Sequence, residues 1–139
     1  VFGPKDGALA DMAQLDGKTV GVTRGAVEDM VLSDGAPKGA QIKRYEDNNT
    51  TLSAYLSGQV QYIATGNMVV SALARQNPDK APAAKFMLKD SPCFVGLRQG
   101  EPALKAAVDA LIGQALADKT LNGLSEKWLK APLPDGFGA

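Results

Sequence analysis

Two short turns carry the residues best placed to do chemistry. The first, Thr23-Arg24-Gly25-Ala26-Val27-Glu28, closes a β-branched run and opens a helical pattern. A strand that stops at glycine and starts a helix points several N–H groups outward, a natural seat for a carboxylate or other anion. Glu28 would oppose such an anion, and favourable charge in a first helical turn is the reading that suits it better than ligand contact. The second turn, Thr65-Gly66-Asn67, follows a short buried-looking apolar run. Asn67 can accept a hydrogen bond from an ammonium, or it can cap the helix that follows. Every βα unit needs a turn of this kind, so a purely connective role is the competing reading at both places.

The remaining candidates offer less. Tyr45, Glu46 and Asp47 end a strand, where a solvated charge cluster is common. Trp128 sits on a short amphipathic helix and reads as packing, while Arg98 and Lys105 read as surface charge. Cys93 is the one cysteine, and with no histidine in the chain nothing is at hand to activate it. The same two counts remove intrachain disulfides, cysteine zinc sites and His-dependent triads, so no metal and no cofactor is expected.

Composition narrows the classes further. In 139 residues, Lys plus Arg and Asp plus Glu number 15 each, giving a net charge of +0. Broad binding to nucleic acid or an anionic membrane needs a basic surface, which this balance argues against. With 45% hydrophobic and 22% charged residues the chain reads as globular. No apolar run approaches the roughly 20 residues of a membrane-spanning helix. A start at Val1 rather than Met reads as a mature secreted form or an excised piece.

The elements that must position the two turns follow from periodicity and punctuation. Strands are expected at Lys18–Thr23, Gln41–Tyr45 and Val60–Ala64, with further candidates at Lys85–Leu88 and Phe94–Arg98. Helices are expected from Val27 to Ser33, after caps at Asn48, Asn49 or Thr50, and from an Asn67 cap to Gln76. From Pro102 onward Leu104, Val108, Leu111, Ile112, Ala115 and Leu116 share one helical face. Thr120 is expected to cap a last helix bearing Leu121, Leu124 and Trp128, before a Pro- and Gly-rich tail. Alternating strands and helices predict an α/β fold with a mostly parallel sheet, whose ligands gather beyond the carboxyl ends of the strands.

Four stretches in order resemble the family 3 extracellular solute-binding proteins of bacterial ABC transporters. Leu15-Asp16-Gly17-Lys18-Thr19-Val20-Gly21-Val22 is similar to that family's entry into its second lobe, and Ala54-Tyr55-Leu56-Ser57-Gly58 to its helix before the third strand. Phe94-Val95-Gly96-Leu97-Arg98-Gln99-Gly100 resembles the returning hinge strand, and Leu121–Leu129 with Glu126-Lys127-Trp128 the closing helix. The resemblance implies a type II periplasmic-binding-protein lobe, three-layered α/β/α. Residues 1–14 would be a hinge remnant, 15–92 the ligand-binding lobe, and 93–139 the return strand and helices that pack on an absent first lobe.

It also implies binding without chemistry. An amino acid or related small polar solute would sit in an interlobe cleft, and a membrane permease would read the closed form in the periplasm. Thr23, Arg24, Gly25, Ala26, Val27, Glu28, Thr65, Gly66 and Asn67 would face the solute. Amino-acid binders place Ser or Thr where this chain has Ala26 and Val27, and an Asp where it has Gly66. A sensory domain of the same fold, or less readily a dehydratase, are the alternatives. With no first lobe, the apolar helices are expected to exchange with a second copy through a hinge near Ser91 to Phe94.

Overall fold

The computed structural model describes residues 1–90 and 94–137. Cys93, the last two residues of the tail and most of the expected Ser91–Phe94 hinge lie outside the described residues. The chain forms two compact units, Val1–Asp90 and Ser91–Ala139.

The first unit is built on strands β1 (Phe2–Gly3), β2 (Thr19–Thr23), β3 (Gln41–Tyr45), β4 (Tyr62–Ala64) and β5 (Ala83–Ala84). Helices α1 (Val27–Gly35), α2 (Asn48–Leu56) and α3 (Asn67–Gln76) alternate with them, and a 3₁₀ turn, Met12–Leu15, precedes β2. The five strands lie in the order β3-β2-β4-β1-β5. Strand β2 pairs in parallel with β3, Thr19 to Thr23 against Gln41 to Tyr45, and with β4, Val20 to Val22 against Tyr62 to Ala64. Strand β1 is antiparallel to both β4 and β5, so the sheet is mixed at one edge and parallel at its centre.

Period-two alternation divides the apolar residues between the two faces. On one face Val20, Val22 and Ala64 pack with Leu9, Leu15 and Leu32 of α1. On the other Ile63 packs with Ala54 of α2, Val60 and Val70 of α3, flanked by Tyr45 and Phe2. Both faces are therefore covered, which makes the unit the expected three-layer α/β/α lobe.

Several expected boundaries shift. Lys85–Leu88 is not a strand; pairing falls two residues earlier at Ala83–Ala84, while Phe86 and Leu88 pack against the core as irregular chain. Phe94–Arg98 forms no strand, and Phe94 is 86% exposed. The caps move as well. Asp47, not the residues after it, caps α2; Gly66 precedes α3 with Asn67 as its first helical residue; and Lys119, not Thr120, precedes the last helix.

The second unit holds α4 (Pro102–Ala117) and α5 (Thr120–Leu129). Lys119 takes a left-handed φ of 63° between them, a turn that closes the helix pair. No residue of α4 is buried, and Leu104, Leu111, Ile112, Leu124 and Trp128 are exposed. Among the described residues no helix is long and apolar enough to cross a membrane.

Gly3 shows how tightly the antiparallel edge packs: a Cβ there would overlap the ring of Tyr62 on β4. Gly3→Ala is expected to lower stability by about 1–3 kcal/mol, as overpacking does. Urea titration of the variant checks it, and an unchanged midpoint would mean that the Tyr62 ring swings away freely.

Candidate functional site

Parallel pairing dictates where the two turns emerge. Val22 lies opposite Ala64 and Thr23 opposite Tyr45, so the turns after β2, β3 and β4 leave side by side along one edge of the sheet. Thr23 through Glu28 and Thr65 through Asn67 are thereby brought together. Strand β1 enters the sheet from this same edge and β5 leaves toward it, since β1 runs against β4 and β5 against β1. A shallow hollow of about 420 Å³, lined by Tyr55, Gly58, Gln61 and Tyr62, lies at the amino ends of the strands and takes no part in this arrangement.

Within the first turn, the backbone amides divide into used and free. Ala26 N–H donates to Thr23 O at 3.1 Å, closing a tight turn with Gly25 at φ 72°, a conformation glycine adopts without penalty. Arg24 N–H donates to Tyr45 O at 2.8 Å, tying the turn to the end of β3. Gly25 N–H donates to Asp29 Oδ2 at 3.0 Å. The amides of Val27 and Glu28 have no partner among the described residues, because Ala26 supplies no side-chain cap for α1. The seat is thus narrower than the sequence suggests: three of the turn's donors are spent internally.

Side chains at the turn fall into the same two groups. Thr23 Oγ donates to Asn48 Oδ1 at 2.7 Å and lies 3.1 Å from Thr51 Oγ, so it braces α2. Arg24 reaches Glu46 at 3.9 Å, with both side chains largely in solvent, where a pair of this kind is worth little. Val27 is exposed, and Ala26 and Glu28 are half-buried. At the second turn Thr65 is half-buried, while Gly66 and Asn67 are exposed. Gly66 O accepts from Val69 N–H at 3.1 Å and provides no side-chain cap, leaving the Asn67 and Met68 amides of α3 open. Three helices start at this edge, and the one after β3 alone is capped by a side chain, Thr50 N–H donating to Asp47 at 2.8 Å.

The residues that sequence reasoning passed over stand behind the first turn. Asp29, in the first turn of α1, is buried, and its carboxylate holds three donors. Besides Gly25 N–H, its Oδ1 accepts from Arg44 Nε at 2.8 Å and lies 3.2 Å from Ser33 Oγ. Ser33 Oγ donates to Asp29 O at 2.7 Å and accepts from Arg44 at 2.8 Å. The spacing held a signal, since Gly25, Asp29 and Ser33 recur every four residues on one helical face. Arg44 was harder to see, because it comes from the neighbouring strand.

The Gly25 N–H and then the Arg44 charge hold the Asp29 carboxyl below the usual carboxylate range, outweighing the opposing effect of burial. Asp47 is likewise held low, by Thr50 N–H. Among the described residues no group of three His, Cys, Asp or Glu side chains could hold a metal. The arrangement leaves backbone hydrogen-bond donors open at the sheet edge and, among the described residues, places no nucleophile beside a base.

No family model matches the chain. Its relatives are family 3 solute-binding proteins, alike over about nine-tenths of its length. The L-cystine-binding protein TcyJ of Escherichia coli K12 is 27% identical over 126 residues, covering 91% of this chain and 47% of TcyJ. The chain thus spans about half the length of the curated relatives it matches. Among solved structures, an ancestral amino-acid-binding protein that is a precursor of cyclohexadienyl dehydratase is 25% identical with a TM-score of 0.65, covering 92% of this chain and 56% of that one. The solute receptor for L-cysteine of Neisseria gonorrhoeae is 25% identical with a TM-score of 0.58, covering 92% and 52%. The fold is therefore that of a type II periplasmic-binding-protein lobe.

Because Asp29 is held low, its contribution to stability is complete above the unfolded carboxylate value near 3.9 and is lost as pH falls through the lower folded value. Asp29→Ala is expected to cost about 1.5 kcal/mol at pH 7, at the low end for a bond to a charged group because solvent reaches Arg44. The gap between variant and wild type should shrink below pH 4. Urea titrations from pH 3 to pH 7 check this, and a constant gap would contradict it.

Proposed function

We propose that the chain is the second lobe, with its return segment, of a solute-binding protein that holds an amino acid or related small polar solute. The observation that carries this reading is the pair of helix starts, α1 and α3, left without side-chain caps beside each other at the carboxyl ends of β2 and β4. Their free amides and the helix dipoles suit a solute carboxylate. The entry of β1 and the exit of β5 at that same edge support a cleft there, since chain crossings to another lobe belong beside it.

On this reading residues 1–14 are a hinge remnant, 15–92 the binding lobe, and 93–139 a return segment and helices that pack on a first lobe. Closure of the lobes on the solute is the signal to a membrane permease in the periplasm. The relatives support the solute class: what TcyJ and the gonococcal receptor bind are amino acids. Thr23, Arg24, Gly25, Ala26, Val27, Glu28, Thr65, Gly66 and Asn67 remain the proposed site residues. Val27, Glu28 and Asn67 act through their backbone amides, and Thr23 and Gly25 by shaping the turn. A dehydratase on the same fold is the second reading, favoured by the likeness to the dehydratase precursor.

In the absence of the first lobe, the exposed apolar residues of α4 and α5 are proposed to meet a second copy of the chain. The 139-residue chain is expected to elute as a dimer at high concentration. A monomer at every concentration tested rejects the exchange.

The full-length protein is expected to be stabilised by at least one member of a panel of amino acids, opines, polyamines and small organic acids. A solute at a hundred times its Kd adds about 2.7 kcal/mol, readily seen as a thermal shift. A flat response across the panel removes the binding reading, and turnover of a panel member would move the assignment to the enzyme. Ala26→Ser should tighten binding of an α-carboxylate by about tenfold, the worth of one hydrogen bond to a charged group. Ala26→Asp should cap α1, raising stability while abolishing the same binding.

A further inference from the structure

The free amides of α1 depend on a network that does not itself reach the cleft edge. Gly25 is the pivot of the turn: with φ 72° and no side chain, nothing of its own restrains it. The Asp29 carboxylate takes the Gly25 N–H on one oxygen and the Arg44 guanidinium on the other. Arg44 belongs to β3, whose next residue, Tyr45, accepts the Arg24 N–H. The turn is therefore held twice by the same strand, once through backbone and once through the Asp29–Arg44 pair.

Two consequences follow from this geometry. The Gly25 N–H is turned inward, so it is withheld from any solute, and the peptide plane that links Arg24 to Gly25 is fixed, while the Ala26 N–H bond to Thr23 O holds the plane after it. Fixing these two planes in succession sets the direction of the next amides, Val27 and Glu28, which begin α1 without a cap. A donor aimed by the protein costs a ligand less ordering than one that must be aimed on binding.

We propose that Asp29 and Arg44 are positioning residues of the solute seat, aiming the Val27 and Glu28 amides without touching the solute. The inference rests on the reading of this turn as a solute seat. Asp29 is the central member, because it is the group that bonds the turn directly; Arg44 and Ser33 hold its carboxylate in place. Arg44 also keeps the pair from being an unbalanced buried charge, since no other cation is within salt-bridge distance of Asp29 among the described residues.

The test uses the full-length protein with L-cystine, L-glutamine and L-arginine as probes, at a temperature where every variant is fully folded. Asp29→Asn is expected to weaken the best-bound probe by about tenfold, the equivalent of one charge-assisted bond. Its Gly25 amide resonance should move upfield as that bond weakens. Arg44→Gln, which leaves the Gly25–Asp29 bond in place, should lose less. Leu32→Ala removes a fully buried side chain of the same helix, and serves as a variant of lower stability with an intact turn. It should bind within about twofold of wild type, a factor worth about 0.4 kcal/mol.

Equal losses in Asp29→Asn and Leu32→Ala would reduce Asp29 to a stabilising residue and overturn the proposal. So would an Asp29→Asn variant that binds as wild type does. If wild type binds none of the three probes, the solute-seat reading falls first and the positioning role with it.

Discussion

The parallel register of β2 between β3 and β4 is the constraint on which the rest of the lobe depends. Val20 and Val22 are fully buried on one face of β2. On the other face Gly21 has no room to spare: a Cβ would sit 3.1 Å from Val60 and 3.3 Å from Tyr45. A slip of one residue would turn the valines into the α2 layer and a threonine into the α1 layer. Because the pairing is parallel, each strand must be followed by a crossover, and each crossover must start at the same edge. Three helix N-termini thus converge without any residue having been chosen to bring them together.

What distinguishes those three starts is how each is finished. The helix after the edge strand β3 is capped by its own Asp47, whereas the helices after β2 and β4 start from Ala26 and Gly66. A missing cap alone means little, since α4 begins at Glu101 without one as well. It gains meaning from place, because α1 and α3 are neighbours across a sheet edge where solvent or a solute must satisfy their amides. The Asp29 carboxylate sits behind that edge, not at its mouth. In that position it bonds the Gly25 N–H and is paired with Arg44, so its own charge is balanced behind the turn.

The sequence was most readable where periodicity and punctuation coincide. Gln41–Tyr45 is found with the expected bounds, and α3 ends at Gln76, just before Pro78, as expected. Both proposed turns lie where the strand ends placed them. Two-residue strands such as Phe2–Gly3 and Ala83–Ala84 are too short to show any alternation, so the antiparallel edge was hidden and Lys85–Leu88 drew the strand instead. Caps were misplaced by one residue because Asp47 and Asn48, or Gly66 and Asn67, are chemically plausible neighbours. Backbone angles decide between them: Gly66, at φ −68° and ψ 147°, is still extended, so Asn67 is already helical. Arg44 was missed for a different reason. Its partner is 15 residues away, and no local pattern reports a contact made through sheet pairing.

The second unit makes the opposite use of its residues. Along α4 the apolar face expected from Leu104, Leu111 and Ile112 is real as a pattern, yet those side chains are exposed. Two helices can bury a narrow seam between them, but they cannot enclose a core, and in α5 Ser125 alone is buried. Apolar faces of this size need a third surface. On the proposed reading that surface is a first lobe, and the chain spans about half the length of TcyJ. On the proposed reading, assembly and solute recognition draw on separate parts of the chain. Apolar helices would carry the first, and a hydrogen-bonded turn at the sheet edge, held from behind by Asp29 and Arg44, would carry the second.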